Sequence, residues 1–115
     1  MSIINVQDAL FQLGNNKAIY NKIIGVYLQD TPGRMSMIET FVKEGAFIKA
    51  SEALHTLKGS ALTIGAEKLA LTCHEGKELL RHGINDAEFM VKLNNVYRET
   101  DIALKEILKS LAKTG

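Results

Sequence analysis

Leu54-His55-Thr56-Leu57-Lys58-Gly59-Ser60-Ala61 lies within the clearest periodic stretch of the chain. Around it apolar residues recur at Phe47, Ala50, Leu54, Leu57, Ala61 and Ile64. Steps of three or four positions are the spacing of one buried face on an amphipathic helix. Each residue turns a helix by about 100°, so His55 falls about 120° from the middle of that stripe. Its imidazole is expected to face solvent. Ile48, Ser51, Lys58, Gly59 and Leu62 lie one or two turns away on the same face. A histidine so placed suits chemistry with a docking partner better than packing.

Working outward, helical periodicity is nearly continuous and strand signals are weak. Val6, Leu10 and Leu13 suggest a short first helix ending at Gly14. Asn15 or Asn16 can cap the next, whose stripe runs Tyr20, Ile23, Ile24 and Tyr27. Pro32-Gly33 would normally break a helix. The stripe nevertheless keeps its phase through Thr31, Met35, Ile38, Phe41 and Val42, which favours one long kinked helix. Gly45 and Gly65 bracket the His55 helix. A fourth helix carries Leu69, Cys73, Gly76, Leu79 and Leu80 and closes at Gly83. Asn85 or Asp86 can cap the last one, whose buried face is Phe89, Leu93, Val96, Tyr97, Leu104, Ile107, Leu108 and Leu111. Short connections imply an all-α, antiparallel up-down four-helix bundle with a short additional N-terminal helix. Residues 1–115 are expected to form a single domain.

Composition narrows the function. Hydrophobic residues make up 46% and charged residues 23%, as in ordinary soluble domains. A formal net charge of +1 favours neither nucleic acid nor an anionic membrane surface. Cys73 is the one cysteine, which excludes an internal disulfide and fits a reducing compartment. The N-terminus lacks the pattern of a signal peptide, and no apolar run suffices to cross a bilayer. A cytoplasmic protein is expected.

The segment from Ala53 to Ala61, followed by Ile64-Gly65-Ala66, Leu69 and Cys73, resembles the histidine-containing phosphotransfer (HPt) domain family. The other helices agree with that family in pattern only. By this resemblance His55 is the phospho-accepting nucleophile, exchanging a phosphoryl group with a receiver-domain aspartate through its outer ring nitrogen. Lys58, one turn on, can offset the charge of the transferring group. Gly59 leaves bare backbone where a partner's loop must approach. Ile48, Ser51 and Leu62 are expected to form the docking rim. The metal in such a transfer, Mg2+, belongs to the receiver, so neither metal site nor cofactor is expected here.

One departure stands out. Many members carry Leu-Glu or an amide one turn after the position of Cys73, where a side chain can accept the histidine's inner N–H. This chain has Gly76-Lys77. A lysine has no acceptor to offer. Lys77 could act as a second phosphate-facing cation, or His74 could supply the acceptor. Gly59 could also be a helix-packing glycine, since glycine costs about 1 kcal/mol against alanine in a helix interior. Cys73 reads as a core residue and His82 as a helix C-terminal cation. Cys73 and His74 diverge by about 100°, too far to converge on one ion with His82.

There is no Gly-x-Gly-x-x-Gly and no Walker-type loop. The chain is therefore read as a phosphocarrier, not an enzyme. It would relay phosphoryl groups between response-regulator receiver domains, fed by a hybrid sensor histidine kinase, and act as a monomer. The principal alternative is a non-catalytic adaptor or inhibitor that binds a receiver or kinase domain without phosphotransfer. A structural bundle that ignores the His55 face comes last.

Overall fold

A computed structural model describes residues 3–114, with side chains through Ser110. Five helices follow in order: α1 (Val6–Gln12), α2 (Lys17–Lys43), α3 (Phe47–Thr63), α4 (Glu67–Arg81) and α5 (Ala87–Thr114). The described residues are helices and turns, with no strand among them. α2 packs on α3, α3 on α4, α4 on α5, and α5 returns to α2, while α1 lies against α2. The most extensive of these contacts joins α3 to α4.

The apolar stripes converge on one core. Ile24, Ile38, Leu54, Leu57, Leu69, Leu93 and Leu104 are wholly buried there. Helix α2 runs unbroken through Pro32, as the unbroken stripe implied. Proline inside a helix costs about 3 kcal/mol or more. Tyr27, Thr31, Met35 and Ile38 all bury their side chains across that point, and this packing outweighs the missing hydrogen bond. The Thr31 hydroxyl also folds back to donate to the Tyr27 carbonyl at 2.9 Å. Of the α5 stripe, Phe89, Leu93, Val96 and Leu104 are buried and Tyr97, Ile107 and Leu108 half-buried. Leu111 lies outside the described side chains.

The turn between α3 and α4 is held from outside. Gly65 has φ +80°, and a Cβ there would meet the Asn5 carbonyl oxygen at 2.6 Å. That space is used instead for a hydrogen bond from the Asn5 N–H to the Gly65 carbonyl, 2.8 Å. Asn5 also caps α1, its side-chain oxygen accepting from the Asp8 N–H, and donates through Nδ2 to Glu67 at 2.9 Å. The Gly-Ala pair of the motif thus anchors the N-terminal helix at the end of α3. No described helix is long and apolar enough to cross a membrane.

Candidate functional site

His55 stands on the exposed side of α3, opposite the buried Leu54, Leu57 and Ala61. Among the described residues no side chain or backbone group hydrogen-bonds its ring. The hydroxyls around it are turned inward: Thr56 donates to the Glu52 carbonyl (3.2 Å), Ser60 to Thr56 (3.4 Å) and Thr63 to Gly59 (3.0 Å). Such bonds back to the preceding turn engage these hydroxyls with their own helix and not with the imidazole.

Gly59 is exposed, and a Cβ added to it would meet nothing within 4 Å. The helix-packing role considered for it is therefore excluded. What it provides is a strip of uncovered backbone beside His55. Ile48 and Leu62, expected on the docking rim, are exposed, at 59% and 52%.

Ser51 does not belong to that rim. It is 6% exposed, and its hydroxyl donates to the Lys77 carbonyl at 3.1 Å. At this position α3 is covered by α4, so Ser51 ties the two helices together.

On the α4 side, Lys58, Leu62, Ala70, Leu71 and His74 line an open groove of about 330 Å³ with Glu67. The structure thus brings Lys58, Leu62 and His74 to one place. Lys77 is half-buried further along, tied by its backbone to Ser51. The ion pairs among the described residues are Lys68–Glu99, Arg81–Glu78 and Lys92–Glu75. Neither Lys58 nor Lys77 takes part in them, so both ammonium groups are available to an incoming anion. His74 is exposed, with no hydrogen bond to the His55 ring.

Two neighbours prove structural. Burial pushes the Cys73 thiol up to about 12, against a smaller opposing pull from Lys58, which keeps it a neutral core group. Gly76 is buried where a Cβ would collide with the Phe89 ring and meet Leu54 Cδ1 at 3.0 Å. The departure at Gly76 is therefore a packing matter: the Phe89 ring occupies the space. His82 sets its Nδ1 2.8 Å from the Glu78 carbonyl at the end of α4. No described group of three or more His, Cys, Asp or Glu side chains is placed to hold a metal ion.

Two features escaped the sequence reading. Leu71 is 46% exposed beside Leu62, off the buried stripe of α4, and an off-stripe leucine was the available signal. Arg34 of α2 reaches a second groove next to Thr56, with Met37, Phe41, Lys49, Glu52 and Ala53. No sequence signal marked that arginine, because only the α2–α3 packing brings it beside the neighbour of His55.

The Hpt domain family model matches residues 22–113, from the second turn of α2 to the end of α5. The chain belongs to the Hpt domain family, and α1 lies outside the matched span. No curated protein and no solved structure matches it.

Proposed function

We propose that this Hpt-domain chain is a phosphocarrier in a multistep two-component relay, with His55 as the residue that is phosphorylated. The observation that carries the reading is a water-facing imidazole with uncovered backbone at Gly59 and an unpaired cation at Lys58. In the transfer, the lone pair of the outer ring nitrogen bonds to phosphorus as the acyl-phosphate P–O bond of the receiver breaks. The leaving electron pair stays on the receiver as its aspartate carboxylate. The proton on the inner nitrogen can then pass to water. Phosphoryl transfer asks for positioning and charge neutralisation more than for covalent chemistry. Lys58 supplies charge, and Lys77, whose carbonyl accepts from Ser51 one turn before His55, would add to it. Ile48 and Leu62 would seat the receiver, and Mg2+ would arrive on that partner.

In this reading the chain works as a single monomeric domain in the cytoplasm, with α2 to α5 arranged up-down and antiparallel. The short turns and the closed ring of helix contacts support that arrangement. A hybrid sensor kinase or its receiver supplies the phosphoryl group, and the chain does not take it from ATP. Incubation with ATP alone should leave the protein unlabelled. A phosphorylated receiver domain should label it, and His55→Gln should stay blank.

The adaptor reading is favoured by one observation: the His55 ring has no orienting hydrogen bond among the described residues. An adaptor would bind its receiver with His55 replaced by glutamine and carry no label in either form.

A further inference from the structure

We infer that the α2–α3 groove beside His55 is a recognition site for an acidic side chain of the docking receiver domain, with Arg34 and Lys49 as specificity-determining residues. The inference rests on the receiver-docking half of the function proposed above. The groove holds about 420 Å³ and is lined by Arg34, Met37 and Phe41 of α2 and by Lys49, Glu52, Ala53 and Thr56 of α3. Thr56 is the chain neighbour of His55, so a partner seated on the imidazole overhangs this groove.

Charge picks the occupant. Two cations face one carboxylate, and neither Arg34 nor Lys49 lies within 4.0 Å of a carboxylate among the described residues. The Arg34 Nε is buried without a hydrogen-bond partner. A guanidinium can bind a carboxylate through two parallel N–H groups; the Nε is closed to a visitor, and the Nη1–Nη2 edge, neither buried nor hydrogen-bonded, offers that fork. The floor is apolar, with Met37 52% exposed and Phe41 half-buried. An aspartate or glutamate projecting from an apolar patch of the partner satisfies both features. The opposite groove has a different character, with Leu62 and Leu71 exposed, its single lysine Lys58 matched by Glu67, and His74 beside them. His55 thus stands between an apolar flank and a cationic one, which fixes the orientation as well as the place of docking.

The test uses the full chain carrying His55→Gln, so that binding is read without any transfer. Unphosphorylated receiver domains of the same organism are titrated against it across a salt series. Arg34→Met with Lys49→Met keeps the apolar stems and removes both charges. Arg98→Met, an exposed arginine on α5, serves as control. Expected is a loss of about tenfold in receiver affinity at low salt, with a flattened salt dependence, in the double variant alone. Unchanged affinity overturns the inference. So does a loss that keeps its full salt dependence, which would mark the pair as structural, or a dimer of the parent chain abolished by the double variant, which would make a second copy the occupant. If His55 never accepts phosphate while the binding pattern holds, the carrier reading fails and this one stands.

Discussion

Two glycines separate packing from docking most sharply. Gly76 lies under the Phe89 ring, whereas Gly59 opens on solvent. Alanine at a helix-interior glycine gains about 1 kcal/mol from propensity. At position 76 that gain meets overpacking worth about 1–3 kcal/mol against Phe89 and Leu54. Gly76→Ala is therefore expected to lower the stability read from urea unfolding. Gly59→Ala has nothing to collide with and should raise it, by up to about 1 kcal/mol. In the proposed reading the same methyl stands on the strip that a receiver loop approaches, so Gly59→Ala should slow receiver transfer while stabilising the fold. Faster or equal transfer would remove the docking role from Gly59. The His74 ring is tested similarly: if it orients His55 on demand, His74→Ala slows phosphate acceptance, and an unchanged rate removes it from the site.

At the scale of elements, the α2–α5 seam carries a polar cluster inside an otherwise apolar bundle. Thr31 Oγ1 lies 3.1 Å from the Tyr97 hydroxyl, and the Tyr27 hydroxyl and Asp101 Oδ1 are buried without partners. Burial pushes the Asp101 carboxyl above the usual carboxylate range, with Lys105 and Tyr97 opposing. Burial likewise raises the Tyr27 phenol, and Asp101 adds to that shift. A raised folded-state value means the folded protein holds the proton more tightly than the unfolded chain does. The stability that comes from Asp101 is then full below its unfolded value of about 3.9 and is lost as pH rises through the folded one. Asp101→Asn should accordingly unfold at higher denaturant than the parent at pH 7. The difference should be modest, since solvent reaches the half-buried carboxyl, and should close on acidification. A gap that widens in acid would contradict the assignment.

The same elements show what the sequence could and could not disclose. Periodicity gave the helices and their buried faces because burial on a helix leaves a mark every three or four residues. Continuity of α2 through Pro32 was legible for that reason. The starts of α3 and α4 were marked only by Gly45 and Gly65, since Ala46 and Ala66 make no side-chain cap. Ser51 was misplaced because angle about α3 does not tell how closely α4 covers that edge. Thr100 is wholly buried yet was left off the α5 stripe, since its hydroxyl is satisfied by the Val96 carbonyl and it packs as an apolar residue would. Arg34 and the cause of Gly76 were invisible for a common reason: each depends on a residue from a distant part of the chain.

For the whole molecule, the division of labour is simple. One side of α3 builds the core, and the other presents an imidazole between two grooves of unlike chemistry. The surface ion pairs joining α4 to α5, Lys68–Glu99 and Lys92–Glu75, are half-exposed and contribute little to stability. Rigidity comes from the shared core, which fixes the α3 backbone that carries His55 while leaving its exposed ring without an orienting hydrogen bond among the described residues. The most direct test of the central claim is to locate the phosphoryl group after transfer. Full-length protein exposed to a phosphorylated receiver should gain one acid-labile phosphoryl group, mapped by peptide mass spectrometry to His55 and absent from His55→Gln. An acid-stable adduct, or label that persists on another residue in His55→Gln, would contradict it.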